Sequence, residues 1–316
     1  MIKKLLFVLL SIYWLGSCQS VSKTQVTNNQ KQENVAEDAP SIVTKLASDE
    51  FMGRNPADKS YDKSVSYVTG FLKRNNIKSF YKDGYLDTCQ YFNGKSYNIV
   101  ALIGDRNRKK EHILIGAHLD HLGTSHHRPD SIYNGANDDA TGVATVLQIA
   151  KRLNTYHFDQ NIIVVLFTGE ESGFIGSKHL AKKLKNEGVN LSYMLNFEML
   201  GKTLSTGEDQ VYITGYEKSN LAEEGNKIMN REFITYLPLA KSYGLFYMAD
   251  NISFYKEMGI PSHTISTFDF KNDHKYHTEA DEAERLDMDN LNKVIQSSTS
   301  LIKGLLENNI RIKTKK

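Results

Sequence analysis

The sequence predicts an α/β protein, a three-layer α/β/α sandwich around a mixed, mostly parallel sheet. Three observations carry this. The runs His112–Ala117 (HILIGA), Asn161–Thr168 (NIIVVLFT) and Ser192–Phe197 (SYMLNF) are almost wholly apolar, as strands are when both faces of a sheet are covered. Segments of helical periodicity separate them, the alternation that builds layered α/β domains. Each run is followed at once by acidic or imidazole side chains: His118 and Asp120, then Glu170 and Glu171, then Glu198. In open α/β sheets the crevice beyond the carboxyl ends of the strands is where ligands bind.

Taken in order, Ser41 begins an apolar-periodic segment (SIVTKLASDEF), and Gly53-Arg54-Asn55-Pro56 is a turn. Ser60–Asn75 carries Val65, Val68, Phe71 and Leu72 at helical spacing. Tyr85–Phe92 and Asn98–Ile103 are strands leading into the strand at His112. After a polar loop the pattern turns helical over Asp139–Asn154, packed by Val143, Val146, Leu147 and Ile149. The strand at Asn161 runs into Gly169-Glu170-Glu171-Ser172-Gly173 and a helix over Phe174–Lys185. Beyond Ser192–Phe197 come a short strand Val211–Thr214, a helix Lys218–Asn230, a helix Ile252–Met258 and a strand Ser262–Ser266. The polar loop Asn272–Asp281 precedes a closing amphipathic helix, Asp289–Leu306.

The 316 residues, 40% hydrophobic and 24% charged, have ordinary globular composition. The net charge of +2 with no basic stripe gives no sign of a nucleic-acid partner. Two lysines precede the apolar run Leu5–Leu15, which is shorter than the roughly 20 residues of a bilayer span. Residues 1–17 are therefore expected to be a signal peptide. The run closes on Leu15-Gly16-Ser17-Cys18, which resembles the bacterial lipoprotein signal. The resemblance implies cleavage before Cys18, a lipid on that cysteine and anchorage in the bacterial cell envelope. Gln19 in place of an Asp favours the outer membrane over the inner. Residues 18–40 are polar and lack aromatics, as a flexible tether is. The domain is expected over 41–316. With Cys18 lipidated, Cys89 is the only other cysteine and no intrachain disulfide can form.

Acids that follow adjacent strands converge on one sheet edge, where each carboxylate must be paired or desolvated. His118 can offer a ring nitrogen to a divalent metal, and Asp120 is placed to hold the other ring nitrogen. Asp138 can bridge two ions. His118, Asp138, Glu171, Glu198 and one histidine of the late loop make two imidazoles and three carboxylates, a set that suits two zinc-type ions. The plainer alternatives are a strand-capping His118 and an Asp pair that only caps a helix. His121, His126 and His127 are expected to be loop residues, and Asp139 a helix-start residue. Asp250 is expected either to cap the helix at Ile252 or to face the substrate.

The blocks GAHLDHLG, NGANDDATG, FTGEESGFIGSKHL, NFEMLG and YHTEAD, in that order, resemble the M28 family of zinc aminopeptidases, with a zinc-exopeptidase fold over about Ser41 to Leu306. The resemblance implies one zinc on His118, Asp138 and Glu198 and another on Asp138, Glu171 and His277. It makes Glu170 the general base that activates a water shared by the two ions, and Tyr276 a stabiliser of the oxyanion. Asp120 completes the implied catalytic set. The family often has a cis peptide at the 138–139 position, and Gly53-Arg54 recurs in it. Its usual residue at position 198 is Asp, so Glu198 is a departure. Peptides are the implied substrates. Two rivals share the fold: glutaminyl cyclase, which uses one zinc and typically carries Trp before the late histidine, and an inactive peptide-binding relative, which would lack a ligand or the base.

Overall fold

The computed structural model describes residues 37–125 and 131–315. The expected signal peptide, Cys18, most of the expected tether, and His126 and His127 lie outside the described residues. In chain order the elements are α1 Ala39–Leu46, α2 Tyr61–Arg74, β1 Lys78–Ser79, β2 Leu86–Tyr91, β3 Gly94–Ile103, β4 His112–His118, β5 Gly123–Thr124, β6 Ile132–Tyr133, α3 Thr141–Leu153, β7 Asn161–Phe167, α4 Ile175–Asn186, β8 Leu191–Phe197, β9 Val211–Ile213, α5 Leu221–Met229, β10 Ile234–Thr235, α6 Pro238–Ser242, α7 Asn251–Met258, β11 Ser262–Ser266 and α8 Met288–Glu307.

Nine strands among the described residues form one mixed sheet, ordered β1-β3-β7-β4-β8-β11-β9-β10 with β2 on β3. Its centre, β7-β4-β8-β11, is parallel, as is the marginal pair β9-β10. Towards the margins β3 and β9 join antiparallel, so the expectation of a mostly parallel sheet describes the site-bearing centre better than the whole. Two apolar layers flank the sheet. Ile113, Ile115, Ala117, Val164 and Leu166 face one side, with α1, α2, α3, α5 and α8. Leu114, Ile163, Val165 and Phe167 face the other, with α4 and α7. Alternation along strands whose residues are all buried is why β4 and β7 read as unbroken apolar runs.

The first helix begins at Ala39, two residues earlier than the periodicity suggests. Asp38 caps it by accepting from the Ser41 N–H at 3.0 Å, and Pro40 sits in its first turn. Residues 39 and 40, expected in the tether, are thus helical. The short elements β1, β5, β6, β10 and α6 carry too few residues to show a period.

The turn at Gly53-Arg54 gains a physical role. Gly53 has φ +65°, and a Cβ there would lie 2.4 Å from the Gly123 carbonyl oxygen and 2.5 Å from that of Tyr133. Only glycine lets the turn lie against the β5–β6 ribbon. Arg54, fully buried, donates from Nε to the Leu119 carbonyl (2.9 Å), from Nη1 to Leu46 (2.9 Å) and Asn134 (2.6 Å), and from Nη2 to Gly135 (2.8 Å). One planar fork thus ties α1, the end of β4 and the loop before α3 together. Arg54→Met keeps the bulk but strands these carbonyls, and removing such a partner costs about 3 kcal/mol or more. Urea unfolding of the metal-free variant is expected to show that loss; a change below about 1 kcal/mol would dismiss the clamp.

Candidate metal centre

Because β7, β4 and β8 run parallel, their carboxyl ends share one edge. His118 is the last residue of β4, Glu170 and Glu171 lie just beyond β7, and Glu198 follows β8. Asp138 comes from the turn before α3, where the 138–139 peptide is cis. His277 comes from the loop before α8. Asp138 stands between two imidazoles, with Oδ1 3.1 Å from His118 Nε2 and Oδ2 3.2 Å from His277 Nε2. Glu171 Oε2 lies 3.1 Å from His277 Nε2. His118, Asp138, Glu171 and His277 are therefore gathered as expected. Glu198 joins the cluster through its charge coupling to His118 and Asp138, while its Oε2 accepts from Asn196 Nδ2 at 3.1 Å.

His121 lies in the loop after β4, as expected, but sequence reasoning did not foresee its side chain beside the cluster. Its ring is buried, with Nδ1 2.8 Å from Glu171 Oε1 and 3.7 Å from Asp138 Oδ2. The signal was its place directly after His-x-Asp, inside a block already singled out. Asp120 is a correction. His118 Nδ1 donates to the backbone carbonyl of Asp120 (3.0 Å), with the carboxylate Oδ1 4.0 Å away. The carboxylate accepts instead from the N–H groups of Glu170 (3.2 Å) and Glu171 (3.3 Å). Asp120 thus orients the Glu170–Glu171 turn, which Gly169 (φ +66°) and Gly173 (φ +92°) allow to bend.

A further ring of contacts fixes the backbone of the ligands. Asp281, in the YHTEAD block, accepts from the N–H groups of Asn137 (2.8 Å) and Asp138 (3.0 Å). Asp139 Oδ1 accepts from Gly142 (3.0 Å) and Met199 (3.1 Å), so it caps α3 and also holds the loop after Glu198. Asn137 Oδ1 and Thr141 Oγ1 accept from Gly201 and Leu200 in that loop, at 2.8 and 2.9 Å. Asp250 does not cap α7; both its carboxylate oxygens are buried without a hydrogen bond. Tyr276 stacks on His277 with centroids 3.8 Å apart. Of the aromatics near Asp250, Phe246 is buried while Tyr243 and Tyr247 are exposed.

Burial raises the Glu170 carboxyl well above its usual range, and the charges of Glu198, Asp250 and Glu171 push it the same way. Burial, then neighbouring acids, lift Glu198 to about 8 and Asp250 to about 7. His118 stays protonated despite burial, because Asp138, Glu170 and Asp139 face it. Burial and the carboxylates raise Tyr276, so its hydroxyl keeps its proton. His118 Nε2, His277 Nε2, Asp138 Oδ2, Glu171 Oε1 and both nitrogens of His121 are buried and make no hydrogen bond of proper geometry. Unpartnered polar atoms so crowded are costly. Imidazole and carboxylate donors aimed at one another fit divalent metal, which replaces the protons they otherwise share.

The metal-free protein is accordingly expected to lose stability as pH rises. Glu198 (about 8), Asp250 (about 7), Asp120 (about 6) and Asp281 (about 6) all titrate above their unfolded values. Each keeps a proton in the folded state that the unfolded chain has released, so stability falls between about pH 4 and about pH 8. Asp138 and Glu171, both lowered, act oppositely below that window, and His263, lowered from 6.5 to about 4 by burial, opposes the raised carboxyls only in its lower half. Urea midpoints of chelator-stripped protein should drop from about pH 5 to about pH 8, and divalent metal should restore more at the higher pH. A flat or rising profile would contradict the charge assignment.

The model of peptidase family M28 matches residues 98–302. A probable zinc metalloprotease of Pyrenophora tritici-repentis is 34% identical over 105 residues, 33% of this chain and 24% of the relative. This chain thus spans about a quarter of that curated relative's length. A probable leucine aminopeptidase of Arthroderma otae is 23% identical over 194 residues, 59% of this chain and 51% of the relative. Among solved structures, the LapA aminopeptidase of Legionella pneumophila superposes with a TM-score of 0.69 at 17% identity, over 86% of this chain and 72% of that one, which bears out the fold. The family match takes in β4, β7 and β8 and every residue gathered at their carboxyl ends, and by it the chain belongs to peptidase family M28.

Proposed function

We propose that the chain is a zinc-dependent aminopeptidase that removes N-terminal residues from peptides and holds two zinc ions. The observation that carries this is the pair of imidazoles on the two oxygens of Asp138, 3.1 Å to His118 and 3.2 Å to His277, with Glu170 beside them. His118, Asp138 and Glu198 would hold one ion; Asp138, Glu171 and His277 would hold the other. When bound, zinc polarises the scissile carbonyl and lowers the pKa of water.

The protein groups supply the rest. Glu170 is raised by burial and like charges, which makes it the stronger base once bound metal has displaced its proton. Asp120 holds its backbone through the 3.2 Å contact. The protonated Tyr276 hydroxyl can donate to a developing oxyanion. Once bound metal displaces the protons they hold, Glu170, Glu198 and Asp250 would offer negative charge that favours a free α-ammonium, and so an N-terminal residue over an internal bond. The names of the fungal relatives, a zinc metalloprotease and a leucine aminopeptidase, support the same reading. The cyclase reading is weaker, because Tyr276 stands where cyclases typically carry Trp and His118 faces Asp138.

Glu170→Gln should lower kcat on aminoacyl chromogenic substrates by about 100-fold or more while zinc content stays at the wild-type level. Full activity in that variant would remove Glu170 from the chemistry. One zinc per chain, with cyclisation of N-terminal Gln in place of hydrolysis, would favour the cyclase. The sequence Leu15-Gly16-Ser17-Cys18 supports one further reading, a lipid on Cys18 that anchors the enzyme in the cell envelope, at the outer membrane. Labelled palmitate should enter the wild-type chain and be absent from Cys18→Ser; equal labelling would refute the anchor.

A further inference from the structure

We propose that His121 is a direct ligand of the ion held by Asp138, Glu171 and His277, so that this ion has four protein donors. The inference rests on the two-metal reading above and adds a ligand that the family resemblance does not supply.

The donor spacing is the first argument. Bonds of about 2.0–2.1 Å in a tetrahedral site set neighbouring donors about 3.3 Å apart. The separations here are 2.8 Å (His121 Nδ1 to Glu171 Oε1), 3.7 Å (His121 Nδ1 to Asp138 Oδ2), 3.2 Å (His277 Nε2 to Asp138 Oδ2) and 3.1 Å (His277 Nε2 to Glu171 Oε2). These separations, taken through both Glu171 oxygens, bracket the ideal; His277 lies outside the group whose donor atoms are all within 4.8 Å of one another, so an ion with four donors would draw its ring towards His121. His121, Asp138 and Glu171 each offer an atom to one small volume. Glu171 thus presents one oxygen to each imidazole.

The second argument is how the ring is held. A core histidine ordinarily satisfies its nitrogens. His263 does so in this same chain, with Nε2 2.7 Å from Ser219 Oγ and Nδ1 2.8 Å from the Thr214 carbonyl. His121 is as deeply buried, yet neither nitrogen makes a hydrogen bond of proper geometry. Its position is nonetheless enforced. A Cβ on Gly135 would lie 2.5 Å from His121 Cδ2, so the glycine leaves room for the ring. The His121 N–H donates to the Arg54 carbonyl at 3.3 Å. A ring placed so tightly, with Nδ1 aimed at two carboxylates and no hydrogen bond formed, suits a metal donor.

The two sites then differ. Two imidazoles and two carboxylates close one of them, as in sites without a free position. The other, with His118, Asp138 and Glu198, keeps one open.

The test counts ligating imidazoles in the intact protein. Wild-type chain with isotope-labelled histidine is loaded with NMR-active cadmium, and one-bond metal–nitrogen coupling is read. Coupling is expected at His118 Nε2, His277 Nε2 and His121 Nδ1. Coupling at the first two without His121 overturns the proposal and leaves the two-metal reading standing. Failure to take up cadmium, or coupling at none of them, overturns the two-metal reading itself. In a parallel titration with cobalt, His121→Ala and His121→Gln should weaken one of the two sites by more than about 100-fold, since a residue that only orients a ligand typically costs 10–100-fold. The visible spectrum of that site should change, and added imidazole should restore it for the alanine variant. A smaller loss with an unchanged spectrum would make His121 a hydrogen-bond partner of Glu171 and overturn the proposal.

Discussion

Negative charge kept out of water is the constraint on which the rest of this structure depends. Asp120, Asp138, Asp139 and Asp250 are all buried, and Glu170 and Glu171 are nearly so. Carboxylates packed this closely repel one another and lose their hydration. Without metal the cluster survives by holding protons, on Glu170, Glu198 and Asp250, and on His118 and His277. Protein folds rarely keep such an arrangement unless a cation belongs in it.

The fold answers with position first and charge second. Parallel β7, β4 and β8 deliver their ends to one edge with no adjustable linkage between them. The loops that complete the site are pinned to one another by Asp281, Asp139, Asn137 and Thr141. Arg54 then places a permanent positive charge under the cluster. Burial lowers its pKa, and the charges of Asp138, Asp281, Asp139 and Asp120 oppose that effect. A guanidinium cannot give up its proton in this setting, so it balances the acids whether or not metal is bound. Its contacts are all to backbone carbonyls, so it occupies no carboxylate oxygen of the centre.

The two ends of the centre are built differently. Around Glu171 the donors face one another closely, and two imidazoles share one carboxylate. Around His118 the second carboxylate is the longer Glu198, partly engaged by Asn196. Asp250 and Glu170, both raised by burial, feel the charge of His118, and Glu170 also that of Glu171.

Much of this was legible in the sequence, for identifiable reasons. Apolar runs without alternation mark strands buried on both faces, so β4, β7 and β8 and the acids at their ends followed from pattern alone. His118, Asp138 and Glu171 stood at or just behind strand ends, which implied convergence, while His277 was singled out from the late loop by the resemblance of its block to the M28 family. What the tertiary structure decided depends on atoms far apart in the chain. Asp120 faces Glu170 and Glu171 across 50 residues, not the neighbouring His118, because parallel pairing sets the end of β4 beside the turn after β7. Arg54 reaches the Asn134 carbonyl across 80 residues, and no local pattern marks a charged side chain that will be buried among carbonyls. His121 looked like a loop residue because loop and ligand share one composition. Only the packing of Gly135 against its ring sends Nδ1 into the cluster. Periodicity and spacing record what a residue does with its chain neighbours; the direction of a side chain at a crossover of loops is set by contacts that the linear sequence does not contain.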